Sequence, residues 1–209
     1  MPNPEAFRLR LPWDSPANEQ QHADNWRTVK DWDVRLAATG RTLINQISLP
    51  AGTTLASVNW PNIPQTYNNL HIMYDAQNGG LNTGGPNALL IFFNGDHTAN
   101  YWWEETGTVS GGAPVSASGV GTVGSRCGAT AASFAARSGV GTITIPNYAE
   151  PGHHFIQGVY QRSAFDGSAS QSFQGGFWYA GGGPVHRIEL ISDTSIFQPF
   201  SYFSLYGEA

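Results

Sequence analysis

Charge is scarce in this chain. Only 12% of its 209 residues are Asp, Glu, Lys or Arg, and the net charge is −5, so the basic field that duplex nucleic acid requires is missing. Cysteine is scarcer still: Cys127 stands alone and cannot form a disulfide within the chain. No apolar run approaches the ~20 residues of a membrane-spanning helix. The first residues lack the basic and apolar regions of a secretory signal. These absences argue against a nucleic-acid partner and against membrane insertion, and they lead to the expectation of a protein made in a cytoplasm with no export signal.

What is abundant points to β structure. The chain holds 25 Gly, 13 Pro and 12% aromatics. Glycine supplies the positive φ of tight turns, and aromatic side chains suit a half-buried pleated surface. A chain of this length can bury one substantial core.

Texture changes near Gly40. Before it, "FRLRLPWDSPANEQQHADNWRTVKDWDVRLAATG" reads as an extended arm followed by a helix. Ser15 can cap that helix, Pro16 suits its first position, Glu19 lies in its first turn and Gly40 follows its end. Ala23, Trp26, Val29, Trp32 and Leu36 fall three or four apart and share one stripe. That stripe must be buried, either on its own domain or in a seam with another subunit or protein. The expected division is therefore residues 1–40 as an anchor or oligomerisation element and residues 41–209 as a β domain.

After Gly40, short β runs alternate with turn signals: "TLINQISL", "LASVNW", "LHIMYD", "ALLIFFN", "NYWWEE", "TITIPNY", "HFIQGVYQ", "SFQGGFWYA", "HRIELIS" and "FSYFSLYG". That is too many strands for one flat sheet of this size, and no regular helices alternate with them. The expectation is an antiparallel jelly-roll-like β-sandwich. Segments 107–125 and 163–176, rich in Gly, Ser and Ala, read as loops or thin edge strands.

Few residues announce chemistry. "GVGTVG" at 119–124 matches the spacing of a dinucleotide fingerprint, but no βαβ unit surrounds it, and a glycine-rich turn or strand is the better reading. His153 and His154 are neighbours that would point to opposite faces of an extended chain, which suits solvated loop histidines better than a shared metal ion. Cys127 reads as a small packing residue. The pattern Gly-x-Ser-x-Gly is missing, and Asp75, Asp96, Glu104, Glu105 and Glu150 show no pairing that sequence alone establishes. No cofactor and no metal is expected, and carboxylate chemistry is left open but unsupported.

The run "NGDHTANYWW" at 94–103 is the densest in polar and aromatic residues. Asn94 and Gly95 together give a strong two-residue hairpin signal, because both tolerate positive φ. Asp96 can then hydrogen-bond amides of the turn. This reading leaves only His97 over. The competing reading is a contact site built on Asn94, Asp96 and His97 at an exposed tip.

Taken in order, "IPQTYNNLHI", "LLIFFNGDHTANYWW", "ITIPNYA", "VHRIELI" and "FSYFSLYG" resemble a series found in tailed-bacteriophage virion proteins: minor tail proteins, tail fibres and head appendages. The resemblance spans residues 60–207. It implies a structural or adhesive β-sandwich in the virion and not an enzyme, with other virion proteins as partners, a homo-oligomer with a trimer favoured, and a host cell-surface glycan as a further partner. The assembly or docking residues would then be Trp26, Val29, Trp32 and Leu36. The chain departs from that series in placing Trp102 and Trp103 after Tyr101, which makes Asp96, His97, Trp102 and Trp103 the candidate surface contacts. Within the resemblance, a minor tail or tail-tip protein and a capsid decoration or head-fibre protein both stand. A third reading, from the seven Trp, is a carbohydrate-binding module or a small polysaccharide-degrading enzyme, since flat indole faces stack on sugars.

Overall fold

Alternation along the β runs decides which side chains meet. In "NLHIMYDAQN", Leu70, Ile72, Tyr74 and Ala76 fall on one face and all are buried, while Asp75 on the other is exposed. The computed structural model of the chain describes residues 40–79, 87–108, 114–132, 139–163, 169–179, 182–193 and 195–209. The arm and helix expected for residues 1–40, with Trp26, Val29, Trp32 and Leu36, lie outside these residues apart from Gly40. The described residues form twelve strands and no helix. They are β1 (Arg41–Ser48), β2 (Ser57–Trp60), β3 (Asn69–Asn78), β4 (Asn87–Phe93), β5 (Tyr101–Thr108), β6 (Pro114–Thr122), β7 (Ser125–Ala132), β8 (Gly139–Pro146), β9 (His154–Ser163), β10 (Ala169–Trp178), β11 (Ile188–Ser192) and β12 (Tyr202–Glu208).

Two antiparallel sheets result, giving a β-sandwich-like all-β fold. The larger has eight strands in the order β1-β12-β3-β8-β9-β10-β5-β6, and the smaller has four in the order β2-β11-β4-β7. A short parallel contact, Gln77–Asn78 of β3 against Ala131–Ala132 of β7, joins them at one corner. Four antiparallel pairs are nested in sequence: β1 with β12, β2 with β11, β3 with β8 and β4 with β7. Strands β5, β6, β9 and β10 extend the larger sheet beyond β8.

The core lies between the sheets. Leu70, Ile72, Ile143, Ile145, Phe203 and Leu205 of the larger sheet meet Val58, Leu89, Ile91, Phe93, Ile188 and Leu190 of the smaller, and each is fully buried. Each such side chain removed from water contributes roughly 1.5 to 3 kcal/mol. Strand β7 sits unusually close to the larger sheet. A Cβ at Gly139 would stand 2.1 Å from the carbonyl oxygen of Ala129, and one at Gly158 would stand 2.2 Å from that of Cys127. Cys127 is wholly buried there and its thiol donates to the Leu89 carbonyl at 3.3 Å; burial pushes the thiol well above its ordinary range.

Two expectations change, and one strand was not anticipated. Segment 163–176 is not loop or edge, because most of it belongs to β10, which lies between β9 and β5 inside the larger sheet. Strand β7, with "SRCGATAA", has no branched or aromatic signal and is nevertheless a buried strand, since Gly139 of β8 and Gly158 of β9 leave room for its backbone and its own Gly128 lies against the Tyr74 hydroxyl. The hairpin expected at Asn94 and Gly95 does not exist. Both residues have positive φ, 54° and 75°, and Asp96 N–H donates to the Phe93 carbonyl at 2.9 Å, so the tight turn is present. Yet β4 pairs with β11 and β7, while β5 pairs with β10 and β6. The turn sends the chain from one sheet to the other, and its neighbours in space come from residues 184–187. Gly95→Val is expected to cost about 1 to 2 kcal/mol, the penalty of a left-handed backbone for an L side chain. A urea midpoint equal to that of the wild type would contradict this.

Candidate functional site

The loop from Asn94 to Asn100 is knitted into the fold. Asn94 Oδ1 accepts from the backbone amides of His186 (2.9 Å) and Arg187 (3.1 Å), and its Nδ2 donates to the Pro184 carbonyl at 3.0 Å. The Asp96 carboxylate accepts from Thr98 N–H (3.0 Å), the Thr98 hydroxyl, Asn100 Nδ2 (3.0 Å) and the indole N–H of Trp178 (2.6 Å). Trp178 is buried, so Asp96 satisfies a donor that water cannot reach. Partial burial of the carboxylate raises its pKa, but the hydrogen bonds from Thr98, Trp178 and Asn100 outweigh that and bring it from 3.8 down to about 2. Below the loop the Tyr101 hydroxyl donates to the Asp96 carbonyl and accepts from Phe93 N–H. His97 stacks on Phe92, ring centroids 4.4 Å apart, and its Nε2 lies 3.1 Å from Glu189, which also faces Arg187 at 3.5 Å.

Trp102 and Trp103 part company. Strand alternation turns Tyr101 and Trp103 inward; Trp103 is only 8% exposed, with the Arg126 guanidinium 4.3 Å above its ring. Trp103 is therefore not a surface contact. Trp102 points outward and meets Phe177 at 5.2 Å. The four expected contact residues thus do not form one site: Asp96 and His97 brace the crossing loop, Trp103 packs inward, and Trp102 belongs to the outer face of the larger sheet.

That outer face carries an aromatic row which sequence reading missed. The register places Val120 of β6, Trp102 of β5, Phe177 of β10 and Phe155 of β9 side by side across four strands. Val120 is 77% exposed and Phe155 59%. Phe177 stands at the centre, 6.2 Å from Phe155 and 5.9 Å from Tyr179. Four residues down β10, Phe173 is 56% exposed beside Val159 of β9. Between the two apolar rows runs a polar one: Glu104 of β5, Gly175 of β10 and Gln157 of β9. An exposed apolar patch of this kind marks an interaction surface. Its signal was present as period-2 spacing in "SFQGGFWYA" and "HFIQGVYQ". Both faces of these strands are apolar, however, so spacing alone did not say which one meets solvent.

The histidines divide likewise. His153 is exposed, whereas His154 is buried, stacked on Trp178 at 5.7 Å, with its Nε2 2.8 Å from the Gly183 carbonyl oxygen. His154 is a packing residue at the start of β9 and not a solvated loop histidine. Further along the same outer face, His71 Nδ1 lies 3.1 Å from the Thr144 hydroxyl, and its Nε2 meets Glu208, which Arg41 also faces at 3.6 Å. Burial lowers the His71 pKa, against the pull of Glu208, and Arg41 lowers it further. The order hydroxyl, imidazole, carboxylate is that of a nucleophilic site. Here it lies flat across paired strands whose amides are engaged in the β3–β8 and β3–β12 ladders, which leaves none to hold an oxyanion. It serves to tie β8, β3, β12 and β1 together. Among the described residues no three His, Cys, Asp or Glu side chains converge as metal ligands do. Compared with protein-family models, curated proteins and solved structures, the chain matches none.

Proposed function

We propose that the chain is a structural protein of a tailed-bacteriophage virion, a minor tail or tail-tip protein that docks by its N-terminal segment and projects a jelly-roll β-sandwich toward the host surface. The observation that carries this reading is the nested pairing of β1 with β12, β2 with β11, β3 with β8 and β4 with β7. Eight strands so paired, four to a sheet, follow the order of a long hairpin rolled into a jelly roll, with β5–β6 and β9–β10 added to one sheet. Jelly rolls recur in virion and lectin domains, and the motif series of residues 60–207 favours the virion. The outward row of Trp102, Phe177 and Phe155 supports a second reading of the same head, as a carbohydrate-binding module.

Quantitative mass spectrometry of purified particles of the encoding phage tests the proposal. A few copies per particle, with antibody label at the tail end, is the expected result. Hundreds of copies over the head would make it a capsid decoration or head-fibre protein instead, and absence from particles would overturn the virion reading.

A further inference from the structure

We infer that the outer face of the larger sheet is a binding site for a neutral glycan, which lies across β5, β10 and β9 over Gly175. This deepens the proposed function by naming the surface that meets the host, and rests on that reading only for the source of the glycan.

Gly175 is the floor of a trough. It occupies the outward position between Phe173 and Phe177, and a Cβ built on it meets nothing within 4 Å. Alternate residues on a strand are about 6.8 Å apart, so the apolar rows on either side stand roughly 13 Å from each other. Across the strands the floor is flanked by exposed Glu104 and exposed Gln157, two strand spacings or about 10 Å apart. That span suits a disaccharide.

A hexopyranose presents C–H faces and a rim of hydroxyls, and the trough answers both. The rings of Trp102, Phe177 and Phe155 offer apolar, electron-rich faces to the C–H groups. The Glu104 carboxylate can accept two hydroxyl hydrogen bonds and the Gln157 amide can both donate and accept. Among the described outward side chains of β5, β9 and β10, Glu104 is the one carrying a charge. A sialylated, uronate or phosphorylated sugar would set an anion beside it, so the ligand is neutral. The same carboxylate argues against a second copy docked face to face, because interface centres are depleted of charge.

The full 209-residue chain is tested by affinity electrophoresis through mannan, dextran and galactan, with polygalacturonate and polysialic acid as anionic counterparts. Sedimentation velocity and thermal midpoints are recorded alongside. Retardation by at least one neutral polysaccharide is expected. Trp102→Ala and Gly175→Leu should each weaken it tenfold or more, and Glu104→Gln several-fold. The Gly175→Leu side chain enters open space, so its thermal midpoint should hold and the loss cannot be laid to unfolding. Retardation by none of the three neutral polysaccharides, stronger retardation by the anionic ones, or full retention in Gly175→Leu would each overturn the inference. So would self-association abolished by Phe155→Asp, which would make the face a subunit interface. The virion reading fails separately: a protein that binds dextran, mannan or galactan but is missing from particles overturns that reading alone.

Discussion

Gly158→Ala is expected to cost the β domain a large part of its stability. The added methyl would stand 2.2 Å from the carbonyl oxygen of Cys127, a backbone atom of β7 that cannot swing aside as a side chain can. To make room the smaller sheet must lift away from β9, opening contacts around Cys127 and Ala129, both buried between the sheets. Overpacking of this kind costs about 3 kcal/mol or more when backbone opposes it. Gly139→Ala should act similarly, since its methyl would meet the Ala129 carbonyl at 2.1 Å. Gly175→Ala is the control on the opposite face. Its methyl meets nothing within 4 Å, and relief of glycine's conformational entropy should leave it neutral or more stable by roughly 0.5 kcal/mol. Urea denaturation of the three variants decides the matter. Equal midpoints for Gly158→Ala and Gly175→Ala would mean that β7 does not lie on β9 as described.

The second large effect is expected at Asp96. Asp96→Ala strips acceptors from Thr98, Asn100 and the buried Trp178 indole at once. The orphaned indole N–H alone costs about 1 to 3 kcal/mol, and the loop that carries the chain between sheets loses its brace. A total of about 2 to 4 kcal/mol is expected, read as a fall in thermal midpoint at neutral pH. Acid gives an independent check of sign. The carboxyl has its pKa depressed in the folded protein, from 3.8 to about 2, so folding favours the ionised form. The stabilisation is complete above 3.8 and is lost as pH falls toward 2. Wild type and Asp96→Asn should therefore differ near neutrality and converge across that window. A gap that persists unchanged at pH 2 would show that the hydrogen bonds act through size and shape and not through charge.

Much of this molecule is legible without coordinates, and what is not has a common cause. Runs such as "LHIMYD" and "HRIELIS" declare themselves as strands, because branched and aromatic residues at period two must bury one face. Strand β7 does not: "SRCGATAA" lacks branched and aromatic residues, and the room for its backbone is made by Gly158 of β9, some thirty positions away in the chain. The turn at Asn94 and Gly95 follows from the two residues' tolerance of positive φ, a property of each residue taken alone. Whether that turn closes a hairpin depends on which strands the flanking segments pair with, and two of those partners, β11 and β10, begin more than sixty residues later.

The amino-acid sequence by itself determines that this is a low-charge chain whose residues after Gly40 form many short strands, with a tight turn at residue 94 and one cysteine suited to packing, because composition, side-chain period and φ preference are local. Only the tertiary structure decides that Trp102 faces outward while Trp103 is buried under Arg126, and that Phe155, Phe177 and Trp102 line up in one row beside Gly175. Neighbours on a strand must take opposite faces, but which face becomes the outside is settled by the register of β5 against β10 and by where the smaller sheet lies. Those depend on contacts between residues far apart in the chain, and local spacing does not encode them.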